Sequence, residues 1–242
     1  MNLEVRQLED SLRLAGSVAV LTGAGISTAS GIPDFRSAAG LYSDERNVNV
    51  FDLSAFRCDP SIFYNFALRF YPQIRAARPN AAHAALAEWQ RLGMDVTVIT
   101  QNVDDYHQRA GSDPVYTVHG NYIHSTCQSC GARTKTETLL PVIERGDIPH
   151  CICGGAYKPD ITFFGEMLPE ADWDASVNAI GRADLVLVLG TSLTVFPVAG
   201  LPAYRSAGAE LVVINRDPTS LDGEANLVIH DDLCQTLSAI SL

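Results

Sequence analysis

The chain has 242 residues, 47% of them hydrophobic and 19% charged, which excludes low-complexity disorder and a coiled coil as descriptions of the whole. At roughly 150 residues per domain this is about one and a half domains, long enough to bury a core without disulfides. Seventeen Lys and Arg against 28 Asp and Glu give a net charge of −11, a field that repels nucleic acid and anionic membranes as partners; a basic peptide, or solubility alone, suits the sign.

The N-terminal MNLEVRQLED has neither the basic start nor the apolar stretch of a signal peptide, and no run reaches the ~18 apolar residues of a membrane span. A cytoplasmic protein is expected, with its six cysteines reduced and read for metal or catalysis before disulfides. The first β-branched run, SVAVLT (17–22), reads as a buried parallel strand. Gly23-Ala24-Gly25-Ile26-Ser27 follows directly. In a Rossmann unit such a turn brings backbone close to a pyrophosphate at the next helix N-terminus; a plain tight turn remains open, because the third GxGxxG position holds Thr28. Where a dehydrogenase places a second strand ending in an acidic residue, this chain reads AAGLYSDERNVNV, which is no strand. Gly31-Ile32-Pro33-Asp34-Phe35-Arg36 suggests instead a loop that covers a nucleotide, or a Pro-terminated helix entry.

Residues 37–78 leave this rhythm, with a polar loop and an aromatic-rich helical piece, IFYNFALRFY. A helical pattern over Asn80 to Leu92 and a strand over 95–100 then lead to Gln101, Asn102 and Asp104, at a strand end where open α/β sheets place ligand groups. Amide side chains suit ribose hydroxyls and a carboxamide; they also suit a helix cap. A short strand (115–118) ends at His119, a side chain whose ordinary pKa suits proton abstraction near neutrality. Gly120 is expected to leave room for a ligand beside it, and a purely structural histidine stays open.

Residues 121–158 are turn-rich and carry Cys127-x2-Cys130 and Cys151-x-Cys153. Four thiolates with no open position read as a structural zinc site. The second pair is one residue short, and the x2 spacing of His150 and Cys153 keeps a Cys3His set open. Cys58 and Cys234 have no partner pattern and are expected as buried free thiols. Thr162, Phe163 and Phe164 lead into Gly165-Glu166, either a segment that pairs with a peptide by strand addition or a buried strand. A helix over Pro169 to Ile180, a strand over 184–189, a helix over Pro197 to Ala207, strands over 210–214 and 226–230 and a last helix over Asp232 to Ile240 complete the chain. Gly190-Thr191-Ser192 and Asn215-Arg216 end two of these strands, where a sheet holds an adenosine half. Alternating strands and helices predict an α/β, Rossmann-like doubly wound parallel sheet. The two irregular stretches read as insertions forming a smaller zinc-binding and helical lobe.

Together GAGIS-TASGIPDFR (23–36), PNAAHAAL (79–86), TQNVDDYHQRAG (100–111), VHGN (118–121), the cysteine pairs, KPDITFFGEMLP (158–169), GTSLTVFPVAGLP (190–202) and IN (214–215) resemble the sirtuins, NAD-dependent protein deacylases, of bacterial and archaeal type. The resemblance implies a discontinuous NAD-binding domain (1–36, 79–120 and 159–242), with insertions 37–78 and 121–158 forming the small domain. It implies NAD as co-substrate, one structural zinc on Cys127, Cys130, Cys151 and Cys153, and acylated-lysine peptides as partners of a monomer. His119 is then the general base on a ribose hydroxyl, and Asn102 and Asp104 orient the nicotinamide ribose and carboxamide in a pocket lined by Gln101 and Val103. Gly23, Ala24, Gly25, Ser27, Thr28, Ile32, Phe35 and Arg36 hold the cofactor, Gly190, Thr191, Ser192, Asn215, Arg216, Asp232 and Leu233 its adenosine side, and Thr162 to Glu166 the substrate.

By the same resemblance, the acyl oxygen attacks the ribose carbon as nicotinamide leaves, and O-acyl-ADP-ribose and free lysine result. Family members that prefer acidic acyl groups carry a Tyr and an Arg, three apart, on the small lobe's helix. Ala67 and Phe70 stand at the matching positions, with Arg69 next to them, so acetyl or longer apolar acyl groups are expected. A mono-ADP-ribosyltransferase and a noncatalytic NAD-sensing module are the other classes carried forward.

Overall fold

The computed structural model describes residues 3–34, 40–41, 44 and 49–242. In chain order they form α1 (Leu3–Leu14), β1 (Val18–Thr22), a 3-10 helix (Ala24–Ser30), α2 (Leu53–Cys58), α3 (Ser61–Ala76), α4 (Ala81–Arg91), β2 (Val96–Thr100), α5 (Tyr106–Ala110), β3 (Val115–Thr117) and β4 (Gly120–Cys127). There follow β5 (Arg133–Lys135), α6 (Leu140–Ile143), β6 (Tyr157–Ile161), α7 (Glu170–Arg182), β7 (Leu185–Leu189), a 3-10 helix (Val198–Tyr204), β8 (Glu210–Ile214), β9 (Leu227–Ile229) and α8 (Leu233–Ser238).

Six strands pair in parallel in the order β3-β2-β1-β7-β8-β9. Leaving out the small sheet's strands, this is the 3-2-1-4-5-6 order of a doubly wound dinucleotide fold, with its switch point between β1 and β7. The apolar runs are continuous because both faces are covered. Val18 and Val20 of β1 join a core with Leu8, Leu12, Leu86 and Trp89, from α1 and α4. Ala19 and Leu21 point the other way, into a core with Ala179, Ile180 and Leu201, from α7 and the second 3-10 helix.

The three remaining strands form an antiparallel sheet, β5-β4-β6. A third core, drawn from 50–74 and from 140–163 together with Ile32 and Tyr106, joins that sheet to α2, α3 and α6. Aromatic rings dominate it: Phe51, Phe56 and Phe63 pack on Phe163 at centroid distances of 5.7, 5.7 and 5.3 Å, in the tilted and edge-on arrangements that ring quadrupoles favour.

Four expectations change. The helix expected over Pro197 to Ala207 is a seven-residue 3-10 turn with Pro202 inside it, as befits a segment missing a backbone donor. The segment after Gly23 is likewise 3-10 rather than α. β6 ends at Ile161, and Phe164 makes only an isolated bridge to Asp52, so Thr162 to Phe164 is not a buried strand. Cys58 is exposed and Cys234 half-buried, not sequestered thiols.

Candidate functional site

A cleft of about 520 Å³ opens at the switch point. Its floor is backbone. Gly25 N–H donates to Gly190 C=O at 2.8 Å, and a Cβ on Gly25 would stand 2.7 Å from that oxygen. Gly190, with φ +59°, has Ile26 N 2.6 Å from where its own Cβ would be. The glycines on both sides of the switch point therefore allow β1 and β7 to end in contact, a closeness that side chains would prevent.

At the end of β2, Asn102 Nδ2 donates to Gly23 C=O (3.1 Å) and to Ser27 Oγ (3.2 Å). Ser27 Oγ donates to Asp104 Oδ2 (2.9 Å). Asp104 also accepts from Tyr106 N–H (3.1 Å) and is 5% exposed, and burial pushes its carboxyl up to about 6. Asn102 is thus no helix cap; it ties the glycine turn to the strand end. Gln101 Nε2 reaches Thr191 Oγ1 (3.0 Å), crossing from β2 to the loop after β7.

His119 stands where these groups meet the small lobe. Its Nδ1 lies 3.0 Å from Gln101 C=O. A carbonyl only accepts, so Nδ1 carries the proton and Nε2 is left as the basic nitrogen. Burial lowers the imidazole's pKa, which keeps that nitrogen unprotonated at neutrality. Gly120 does not make room for a ligand: at φ +67° its absent Cβ would fall 2.0 Å from Asp160 C=O, so it admits the close approach of β6 instead.

The cleft wall beyond His119 is the 162–166 segment. Thr162 N–H donates to His119 C=O (2.8 Å), while Phe164 gives its N–H to Phe51 C=O and takes one from Leu53 N–H (2.8 and 3.1 Å). These bonds occupy both backbone groups of Phe164. Glu166 turns inward, accepting from Lys158 Nζ (2.8 Å) and Phe163 N–H (2.7 Å). Lys158, 4% exposed, gives its other protons to Pro159 and Ile161 carbonyls and lies 4.1 Å over the Phe163 ring. Burial pushes its ammonium pKa down and Glu166 opposes that shift.

Most of the expected site residues line this one cleft: Gly23 to Gly25, Ser27, Ile32, Gln101 to Asp104, His119, Thr162 to Glu166, Gly190 to Ser192 and Asn215. Four do not. Thr28 Oγ1 bonds Gly25 C=O, Arg216 pairs with Asp232 at 3.5 Å, Asp232 caps α8 through Gln235 N–H, and Leu233 packs in the core beneath Gly190. Phe35 and Arg36 lie outside the described residues. At the inner end of the cleft the sequence pointed to Phe70 alone; Phe51, Phe63, Phe66, Tyr71, Ile74 and Tyr122, which line the wall with it, were missed. The signal was the i, i+3, i+4 aromatic spacing of α3. Also missed was Asn80, which caps α4 through Ala82 N–H and donates to Ile26 C=O (2.7 Å), fixing the turn from behind.

Cys127, Cys130, Cys151 and Cys153 bring their sulfurs within 4.8 Å of one another. Two of the pairs stand 3.5 and 3.7 Å apart, and tetrahedral zinc with ~2.3 Å bonds separates its sulfurs by ~3.8 Å. The donor set fits one zinc ion. His150 is not part of it: its Nδ1 bonds Gly154 C=O at 3.0 Å.

The Sir2 family model matches residues 23–197. An NAD-dependent protein deacetylase of Cutibacterium acnes is 41% identical over 239 residues, with 97% of this chain and 96% of that one covered. An NAD-dependent protein deacylase of Mycobacterium tuberculosis is 40% identical, with 92% and 95% covered. Among solved structures, a Sir2 enzyme superimposes with a TM-score of 0.93 at 35% identity, covering 99% of this chain and 97% of the other. A Sir2–p53 peptide–NAD+ complex does so at 0.91 and 38%, covering 98% and 97%. The likeness extends over nearly the whole chain, and the chain belongs to the Sir2 family, the sirtuins.

Proposed function

We propose that this protein is an NAD-dependent protein lysine deacylase, taking acetyl or longer apolar acyl groups from lysine side chains of peptides. The observation that carries the reading is His119. Its Nδ1 is held by Gln101 C=O, which leaves a basic Nε2 in a cleft that has the glycine turn on one side and the 162–166 segment on the other.

The donor set suits NAD. Asn102, Ser27, Gln101 and Thr191 offer amide and hydroxyl groups, matched to ribose hydroxyls and a carboxamide. NAD supplies a ribose carbon that accepts the acyl oxygen once nicotinamide departs. The chain's residues do the rest. Asn102 and Asp104 orient the ribose, His119 Nε2 takes a proton from its hydroxyl, and Phe163 and Phe164 exclude water around the lysine stem. A zinc ion held by these four sulfurs would tie β4 to the loop before β6 and, with no open position, would take no part in the chemistry.

The acyl preference follows from what lines the inner cleft. Among its described lining residues there is no Lys or Arg. Ala67 is buried in the aromatic core, Phe70 faces the cleft, and Arg69 points outward toward Asp44 (3.9 Å). A carboxylate at the acyl end therefore meets no cation there. The wider picture belongs to the same proposal: a discontinuous NAD-binding domain with a small domain from 37–78 and 121–158, and a cytoplasmic monomer that takes peptides rather than nucleic acid. No helix among the described residues is long and apolar enough to cross a membrane.

A panel of acyl peptides with NAD tests the reading. Deacylation matched by nicotinamide release, with acetyl turned over faster than succinyl, is the expected result. A higher kcat/KM for succinyl than for acetyl peptide overturns the preference, and label from NAD appearing on protein without deacylation overturns the reaction.

A further inference from the structure

The inner end of the cleft holds one polar atom without a partner. Tyr71 is 5% exposed, and its hydroxyl bonds no group among the described residues. The ring packs on Phe63 (6.4 Å) and Tyr122 (6.3 Å). Tyr122 is already committed, donating to Asp105 Oδ1 at 3.0 Å. Tyr71, Ile74 and Tyr122 also line a second cavity, of about 320 Å³, so Tyr71 stands in the wall between the acyl end of the cleft and the space behind it.

An unpaired buried hydroxyl costs free energy. Water is a poor remedy on the cleft side, because a buried water needs two to four polar partners and the ring that Tyr71 packs on, Phe63, belongs to an apolar cluster with Phe66, Phe70 and Phe163. Burial raises the phenol's pKa, so the hydroxyl stays neutral and acts as a donor. A ligand atom that meets it must be an acceptor, and the cost of burying a charge among these rings favours a neutral oxygen on an otherwise apolar chain.

Resting on the deacylase reading, we infer that Tyr71 is a specificity-determining residue for acyl-lysines whose medium-length chain carries one neutral oxygen, a hydroxyl or a ketone. Carboxylate-ended chains are disfavoured there, since Asp104 lines the same cleft, Asp105 accepts from the Tyr122 hydroxyl beside Tyr71, and the cleft's described lining has no cation.

The test is kcat/KM on one peptide bearing butyryl, hexanoyl or octanoyl lysine, each compared with its 3-hydroxy, 5-hydroxy or 5-oxo derivative where the chain allows, in the wild type and in Tyr71→Phe. The variant only deletes an unpaired hydroxyl and is expected to fold with a Tm at or above that of the wild type. In the wild type, at least one oxygenated chain is expected to exceed its parent about three- to tenfold, the worth of one neutral hydrogen bond. In Tyr71→Phe that ratio falls to about one. A wild-type ratio of one or less at every position overturns the proposal, as does a ratio above one that survives in Tyr71→Phe. Acetyl peptide in every series separates the outcomes: without its turnover the deacylase reading itself has failed, whereas acetyl turnover with flat ratios removes Tyr71 alone.

Discussion

The two walls of the cleft are built differently. On the sheet side, the site is made of strand ends: Gly25 and Gly190 in backbone contact, Asn102 and Gln101 one step past β2 and reaching to the turn and to Thr191. Register in a parallel sheet buried on both faces leaves little freedom, so these groups are placed by the fold itself. On the lobe side, the wall is a short irregular segment held by side chains: the Lys158–Glu166 pair, the ring cluster around Phe163 and the cysteine cluster beyond β4. On the proposed function, the sheet side takes the nucleotide and the lobe side takes the acyl group and peptide.

Removing the group at the junction should stop the reaction while leaving the nucleotide half in place. His119→Ala is expected to lower deacylation by about 10²- to 10⁴-fold, the usual worth of general base catalysis, with NAD still bound in a titration. For the wild type, kcat/KM should fall on the acid side with an apparent pKa below 6.5, the direction in which burial moves this imidazole.

Stripping zinc should separate the halves. A chelator is expected to abolish peptide turnover and lower Tm, with one zinc per chain restoring both. A folded, active, metal-free preparation would remove the site. Lys158→Met leaves Glu166 without its ion pair and should raise KM for the peptide at least several-fold while KM for NAD stays within about twofold, the lost pair being partly buried. Equal effects on both constants would mean that the pair supports the whole fold rather than the peptide wall.

The smallest effects are on stability. Burial raises Asp104 to about 6 from an ordinary 3.8, so its favourable contribution is present below about pH 4 and lost as pH rises through 6. Asp104→Asn should therefore stabilise the protein at pH 7 by about 1–3 kcal/mol, with the gain in Tm shrinking as pH falls from 6 to 4, while activity drops. His83 and His107 work in the opposite direction. Burial lowers them to about 4 and about 3, and their rings pack 4.8 Å apart behind the turn, with His107 Nε2 3.0 Å from Thr22 Oγ1. Their contribution is present above pH 6.5 and is lost as pH falls below it, so wild-type Tm should decline from pH 6.5 toward 4.

The same contrast decides what the sequence made legible. Val18 to Thr22 and Leu185 to Leu189 could be read because strands covered on both faces are apolar at every position. The cysteine cluster could be read because metal spacing is local. Lys158 and Glu166 could not, since their pairing depends on how the chain folds back after Ile161. Nor could Tyr71: the aromatic pattern of α3 shows a buried face, but only docking against β4 and β6 makes that face the end of a cleft. Gly120 lies beside His119 in sequence and admits the close approach of β6, which the direction of its absent Cβ settles and spacing does not.

In the proposed function one histidine, His119, couples a nucleotide site to an acyl-lysine site. Mass spectrometry of an acetyl-lysine peptide incubated with NAD and enzyme tests it most directly. Free lysine peptide, nicotinamide and O-acetyl-ADP-ribose in equal amounts, all lost in His119→Ala, is the result predicted. Nicotinamide release that does not depend on the acyl peptide, or that persists with deacylation in His119→Ala, would contradict it.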